Sequence, residues 1–242
     1  AVVANPAEKV KLEFLSYHLL PDVAVLDPRM TETLPPRITA STGFDAVVHA
    51  IEAATCLQRN PVSDAFAEKA MEQIIRNLPT AVGNGRDKKA RMALANGSLL
   101  AGAAFSNSMV GLVHAIGHAL GGVCQVAHGD AMTILLPAVM KYNLSACAQR
   151  YGELLLPLGG PALYASTPAQ LRGERAIQCL VELRRQLSAL TGLPTTLEAT
   201  GKVSKGDFTA VATTALNDGA IIVNPVEADL EDIIGILEEV WA

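Results

Sequence analysis

The chain has 242 residues, and its 19 Lys and Arg against 24 Asp and Glu give a formal net charge of −5. This length suits one large domain or two small ones, and it allows a sizeable buried core. Half of the residues are apolar, far more than a disordered chain carries. The acidic balance excludes the basic footprint of a nucleic-acid-binding protein.

The N-terminal part of the chain has the pattern of a β-strand. The short apolar run Val23–Leu26 is bounded by Pro21 and Pro28, as strands commonly are. After Pro36 the strand signals nearly stop. The sequence therefore predicts a strand-like opening that leads into a helical body.

The helical body is predicted from apolar residues that recur at three- and four-residue spacing. Ser41 or Thr42 is predicted to cap the first helix, and Pro79 is predicted to close the second. A break is expected at Gly159-Gly160-Pro161. The predicted helices span residues 39–55, 63–78, 87–108, 111–124, 128–142, 168–191, 205–216 and 229–241.

The four cysteines are far apart and form no C-x-x-C pair: Cys56, Cys124, Cys147 and Cys179. Because neither a disulfide scaffold nor a thiolate metal clip is indicated, we interpret them as free thiols in a reducing cytoplasm. The chain opens without Met and without a signal-peptide pattern. We expect it to be part of a longer protein.

No Asp, Glu, Lys or Arg lies between Arg91 and Asp130. A transmembrane helix needs about 20 mostly apolar residues, so the stretch is long enough. However, Asn, Ser, Gln and His side chains and many glycines fall throughout it, and lipid-facing helices rarely hold that many polar groups. The pattern favours a pair of buried helices in a bundle over a membrane span.

Four of the five histidines fall in two apolar segments that are predicted to be buried: His49, His114, His118 and His128. A lone histidine on an apolar face is usually a core residue whose ring nitrogens are hydrogen-bonded. Several together are harder to explain in that way, because each needs its own partner. Their grouping therefore points to a shared site.

The spacing of these residues indicates a metal site. Asp45 and His49 are four residues apart and share one helix face, and His114 and His118 do the same on another helix. His128 follows after a break at Gly121-Gly122, so it can return beside the preceding helix. Asp with three His suits Fe(II) or Zn(II).

Glu52 leaves an alternative open, because it lies on the same predicted face as His49. It could replace Asp45 as a ligand or support a ligand by a hydrogen bond, and we favour the supporting role. Two hydrolase motifs are excluded. Ala115 stands where the zincin H-E-x-x-H motif requires Glu, and no Gly-x-Ser-x-Gly elbow occurs.

Two segments carry a family resemblance. The segments 43–52 (GFDAVVHAIE) and 111–129 (GLVHAIGHALGGVCQVAHG), continued by Leu136-Pro137, resemble the metal-binding motifs of the iron-containing (group III) alcohol dehydrogenases. That family is related in fold to dehydroquinate synthase and glycerol dehydrogenase. The resemblance extends over essentially the whole chain.

The resemblance implies an all-α, multi-helical, dehydroquinate-synthase-like C-terminal domain. Residues 37–242 would form the helical metal-binding and catalytic domain. Residues 1–36 would be the tail end of an N-terminal α/β nucleotide-binding domain that is mostly missing, with a short β remnant of it. The family's Gly-Gly-Gly-Ser phosphate loop does not occur in this chain, so the cofactor-binding residues are unknown.

The resemblance also implies roles for individual residues. Asp45, His49, His114 and His128 match the metal ligands, and the ion is expected to be Fe²⁺, with Zn²⁺ as the alternative. His118 matches a catalytic histidine that moves the alcohol proton. Phe105 matches a residue beside the substrate pocket. Ala220 stands where several members have a pocket cysteine, so inferences about substrate size from that cysteine do not transfer.

The function implied is a metal-dependent alcohol dehydrogenase, or aldehyde reductase, that transfers hydride between a small alcohol and NAD or NADP. We expect a cytoplasmic homo-oligomer that is inactive without its nucleotide-binding domain and that binds neither nucleic acid nor membrane. Two alternatives remain: a related enzyme of the glycerol-dehydrogenase or dehydroquinate-synthase type, and a non-catalytic helical interaction domain. The absence of Lys and Arg from Met92 to Gly129 favours an uncharged substrate.

Overall fold

The computed structural model describes residues 2–5, 7–8, 10–14 and 16–242; residues 1, 6, 9 and 15 of the predicted N-terminal tail lie outside that description. The chain begins with an antiparallel hairpin of β1 (Val2–Asn5) and β2 (Val10–Glu13). The described part of the chain then forms nine α-helices: α1 (Pro36–Thr55), α2 (Pro61–Gly83), α3 (Lys88–Ser106), α4 (Leu112–Cys124), α5 (His128–Tyr142), α6 (Leu144–Ser166), α7 (Arg172–Thr191), α8 (Phe208–Ala215) and α9 (Leu230–Glu239).

The predicted helical body is confirmed, and one helix organises it. Helix α1 packs against α2, α3 and α5, while α4 packs against α5 and α8, and α6 against α7. Large apolar side chains of α1, including Phe44, Val47 and Ile51, are almost fully buried. Between Leu112 and Leu120 every residue of α4 is buried as well. The core therefore surrounds the segments that carry the histidines.

The prediction of a strand at Val23–Leu26 is wrong for the described structure. This stretch is irregular, and the β-pairing found in the described part of the chain joins β1 to β2. Val23 and Val25 have exposed fractions of 75% and 85%. A strand requires a hydrogen-bonded neighbour, and the described residues place none beside this segment.

The predicted cap of the first helix is also wrong. Helix α1 begins at Pro36, which stands at the first helical position, where its missing N–H costs nothing. Ser41 and Thr42 lie in the second turn, and the Thr42 hydroxyl donates to the carbonyl of Ile38 at 2.7 Å. These hydroxyls therefore bond back to their own helix and cap nothing.

The two helix breaks predicted from glycine and proline have opposite outcomes in the structure. Helix α2 continues through Pro79 to Gly83, although Pro79 was predicted to close it. Burial of Ala81 and Val82 beyond the proline favours the extra turn over a break. The break expected at Gly159-Gly160-Pro161 is confirmed, since Gly160 has a φ of 82° and interrupts the helical geometry within α6.

A tight turn directs α5 back along α4. Gln125 ends α4 in the left-handed conformation, with φ 58° and ψ 33°, and its backbone N–H donates to the carbonyl of Leu120. Among the described residues, no single helix combines the length and apolar composition of a membrane span; α5 and α6 pass that test only jointly, with a bend of 114° between them.

The start of α5 lies directly on the backbone of α1. A Cβ atom built on Gly129 would lie 2.9 Å from Cβ of Ser41 and 3.0 Å from its carbonyl carbon and oxygen. This position therefore requires glycine for close approach rather than for an unusual backbone conformation. The contact sets how near His128, the first residue of α5, comes to α1.

We predict that Gly129→Ala lowers the free energy of unfolding by about 1–3 kcal/mol, because the added methyl group forces α5 away from α1. Urea denaturation at constant m-value measures the change. Gly235→Ala in α9 is the matched control, since nothing lies within 4 Å of its Cβ position. That control should gain up to about 1 kcal/mol from helix propensity. Equal midpoints for the two variants would contradict the close contact.

Candidate metal centre

Three helices bring the predicted site residues together. Asp45 and His49 lie one turn apart on α1, His114 and His118 one turn apart on α4, and His128 begins α5. Because α5 packs on both α1 and α4, its first residue comes back to the first turn of α4. The described structure thus has the local geometry that the i, i+4 spacing predicted.

Asp45, His114 and His128 converge on a common point. Asp45 Oδ1 lies 3.6 Å from Nε2 of His128 and 3.8 Å from Nε2 of His114. One ligand atom from each of the three lies within 4.8 Å of the others. Two ligands at about 2.1 Å from a tetrahedral ion are about 3.4 Å apart, so the spacing fits one small cation.

The environment of Asp45 also fits a cation. Its Oδ1 atom is buried, and no described residue donates a hydrogen bond to it. A buried carboxylate oxygen without a donor is costly, because it has lost its hydration. The donor set of one carboxylate and two imidazoles, the chemistry of many zinc and ferrous sites, supplies what such an ion requires.

His49 lies beside this group and outside the atoms that converge within 4.8 Å. Its ring stacks on His114, with centroids 4.5 Å apart, and on Phe105, with centroids 4.6 Å apart. Burial, together with the neighbouring His114, holds the pKa of His49 well below its usual range, so the ring is neutral. A neutral imidazole is the form that ligates metals.

Glu52 contacts the Nδ1 side of the His114 ring, whereas Asp45 lies near the Nε2 atom of the same ring. Its Oε2 lies 2.5 Å from Nδ1 of His114, and its Oε1 accepts from the backbone N–H of Val113 at 2.7 Å. Burial raises the pKa of Glu52 to about 7, although N–H donors of Gly111 and Val113 act in the opposite direction. Metal-binding histidines commonly direct their second nitrogen to such a carboxylate.

His118 has an acidic partner that the sequence analysis missed. Its Nδ1 lies 2.9 Å from Oδ2 of Asp218, a residue that follows α8 and caps the short 3-10 turn Gly219–Val223. Burial alone would raise the pKa of Asp218, but the hydrogen bonds with His118 and with the backbone N–H of Ala220 hold it below its usual range. The two residues are 100 positions apart, so no local pattern reveals the pair.

Phe105 lies next to the candidate centre, where its ring stacks on His49. It also packs on a small apolar cluster of Val110, Ala115 and Ala220, which is separate from the main core. Ala220 is fully buried there. Through Phe105, which stacks on His49 and packs on this cluster, the cluster borders the candidate centre.

A second missed feature anchors the start of α4. Asn224 and Asn143 exchange two side-chain hydrogen bonds, of 3.0 and 2.9 Å, and both residues are buried. Asn224 Oδ1 also accepts from the backbone N–H of Leu112 at 3.3 Å. Asn224 thus accepts from a backbone N–H in the first turn of α4, which has no partner within the helix, two residues before His114.

These features together define a helical domain built around a candidate metal centre. A family model described as the Fe-containing alcohol dehydrogenase family, C-terminal, matches residues 39–241. The chain belongs to this family, as its motifs predicted.

Curated relatives and solved structures agree with this membership. The chain is 43% identical over 184 residues to long-chain-alcohol dehydrogenase 1 of Geobacillus thermodenitrificans (strain NG80-2), covering 76% of this chain and 45% of that protein. It is 37% identical to the 1,3-propanediol dehydrogenase of Klebsiella pneumoniae, covering 99% of this chain and 60% of that protein. A crystal structure of a 1,3-propanediol oxidoreductase superposes with a TM-score of 0.91 at 37% identity, covering 99% of this chain and 61% of that chain.

We predict that Asn224→Ala lowers the free energy of unfolding by about 1–3 kcal/mol, because it leaves the Asn143 amide and the Leu112 N–H buried without their partner. Chemical denaturation of Asn224→Ala, Asn143→Ala and the double variant tests the pair. The double variant should cost clearly less than the sum of the single variants. Strict additivity would show that the two amides act independently.

Proposed function

We propose that this chain is the metal-binding and catalytic domain of an NAD(P)-dependent alcohol dehydrogenase that also reduces aldehydes. The observation that carries the proposal is the convergence of Asp45, His114 and His128 from three helices, with ligand atoms within 4.8 Å. Membership of the Fe-containing alcohol dehydrogenase family supports it. The substrate is a small uncharged alcohol or aldehyde, because Met92 to Gly129 offers no Lys or Arg to a charged one.

The ligands in this proposal are Asp45, His49, His114 and His128, with Fe²⁺ as the ion and Zn²⁺ as the alternative. The stacking of His49 on His114 supports its place as the fourth ligand. When bound, the ion supplies Lewis acidity toward the alcohol oxygen and the nicotinamide accepts the hydride.

The remaining side chains orient and shield this centre. Glu52 holds the Nδ1 side of His114, which fixes the direction of its Nε2 toward Asp45. Phe105 and the apolar cluster with Ala220 exclude water beside the reacting carbon. His118, whose ring stacks on His128 with centroids 5.5 Å apart, moves the proton of the alcohol.

The proposal includes an N-terminal α/β nucleotide-binding domain that precedes the helical body, with residues 1–36 as its tail. The chain spans 45–60% of the length of the relatives described above. Val23 and Val25 are apolar and largely exposed. Their exposure supports a neighbouring domain that packs on residues 23–25 in the whole protein. The whole enzyme is proposed to be a cytoplasmic homo-oligomer.

The ligand role and the proton-transfer role are separated by two substitutions. We expect His114→Ala to lose the metal, whereas His118→Ala keeps the metal and loses about 10²-fold or more in kcat. Elemental analysis of purified protein measures occupancy, and His18→Ala is the control because His18 is exposed. Full metal occupancy in His114→Ala would refute the ligand assignment.

Metal removal distinguishes this function from that of a non-catalytic bundle. We expect a chelator to lower Tm, because an ion that binds only the folded state stabilises it by about 2.7 kcal/mol at a concentration 100 times Kd. Re-addition of Fe²⁺ or Zn²⁺ should restore Tm. A bundle whose histidines are purely structural would melt at the same temperature with and without chelator.

The dependence on the upstream domain gives a further test. We expect the chain alone to bind metal but to reduce little or no aldehyde with NADH or NADPH, since the pyrophosphate cradle at a helix N-terminus is supplied elsewhere. Absorbance of the reduced cofactor measures turnover with and without that domain. Comparable rates for the two proteins would contradict this division of roles.

A further inference from the structure

The carboxylate of Asp218 makes two different hydrogen bonds with its two oxygens. Oδ1 accepts from the backbone N–H of Ala220 at 2.8 Å, which caps the 3-10 turn after α8. Oδ2 lies 2.9 Å from Nδ1 of His118. Both side chains are more than nine-tenths buried, with exposed fractions of 8% and 5%. The contact is thus shielded from water, which strengthens it.

Capping alone does not explain this arrangement. Asp87 caps α3 by accepting from the backbone N–H groups of Lys89 and Ala90 with Oδ1. At Asp218 the second oxygen is directed at an imidazole on another helix. The residue therefore does more than begin a turn.

The chemistry of the pair fixes the position of a proton. An ionised carboxylate accepts hydrogen bonds and donates none, so the proton between Asp218 and His118 must be carried by Nδ1 of the ring. In a neutral imidazole the other nitrogen, Nε2, is then the acceptor. Asp218 thus selects one of the two tautomers that neutral histidine can adopt.

We propose that Asp218 is a positioning residue that holds His118 as the Nδ1–H tautomer and fixes its ring, so that Nε2 takes the proton of the alcohol. This inference rests on the proposed function, in which His118 moves that proton. In alcohol oxidation the O–H bond breaks, the proton goes to Nε2, and the hydride goes from carbon to NAD(P)⁺; aldehyde reduction reverses each transfer.

The orientation of the His118 ring matters because two other histidine rings pack against it. His118 stacks on His128 with an interplanar angle of 17° and meets the edge of His114 at 70°. A ring rotated away from Asp218 would exchange the positions of its nitrogens and carbons against these neighbours. The hydrogen bond on Nδ1 therefore helps to set which ring atom of His118 serves the proposed reaction.

The direct test is the tautomer of His118, read by long-range ¹H–¹⁵N NMR of the ¹⁵N-labelled chain with Zn²⁺ bound, in alkaline buffer. We expect the wild-type ring to carry its proton on Nδ1. A ring protonated on Nε2, alone or together with Nδ1, overturns the proposal. This measurement needs no substitution, so a variant that fails to fold cannot obscure it.

Two variants extend the test. Asp218→Asn keeps a carbonyl for the Ala220 N–H and presents an N–H to His118, which should move the ring proton to Nε2. Asp218→Ser keeps a capping oxygen but is too short to reach the ring. Asp87→Asn is the matched control, a cap without an imidazole. Retention of the Nδ1–H tautomer in both Asp218 variants overturns the proposal.

The kinetic arm uses the enzyme with its nucleotide-binding domain. Asp218→Asn should lower kcat by about 10²-fold, within the usual range for general acid–base catalysis, while metal content and KM stay near the wild-type values. Asp218→Glu should recover part of the loss. An unchanged kcat in Asp218→Asn overturns the positioning role. A wild-type protein that binds no metal would instead refute the proposed function, and the same NMR measurement on the metal-free chain would still decide the tautomer.

Discussion

The close approach of α5 to α1 is the constraint on which the candidate centre depends. Gly129 rests against the Ser41 backbone without space for a side chain, and this contact brings His128 to within 3.6 Å of Asp45. Helix α4 contributes His114, so three separate helices supply the three side chains of the candidate centre. A packed core has few alternative arrangements, so the packing of the helices holds these three side chains near one another.

Buried polar groups orient the two histidines of α4 by hydrogen bonds to their Nδ1 atoms. Glu52 and Asp218 each occupy the Nδ1 side of one histidine of α4, and the Asn143–Asn224 pair anchors the beginning of that helix. Each buried carboxylate also accepts a backbone N–H. These bonds offset the cost of burying charge, and they leave the imidazoles little rotational freedom.

Local spacing was enough to predict eight of the nine α-helices in the described part of the chain, all but α6, and the faces on which Asp45, His49, His114 and His118 lie, because periodicity reports on a single element. It was not enough for Asp218 or Asn224, whose partners are 100 and 81 positions away. Pro79 was misjudged because tertiary burial outweighed its local effect. Val23–Leu26 was misjudged because strand formation depends on a neighbour, which a single segment cannot specify.

Helix α1 carries Asp45, His49 and Glu52 within two turns, and this has a consequence for how the protein can change. Inserting or deleting one residue between them would rotate everything downstream by about 100° and translate it by about 1.5 Å, which separates the donor atoms from one another. The number of residues between positions 45 and 52 therefore cannot change without moving these side chains apart. At the interruption in α6, Gly160 already breaks the helical repeat, so added or lost residues there would leave the registers of α1, α4 and α5 intact.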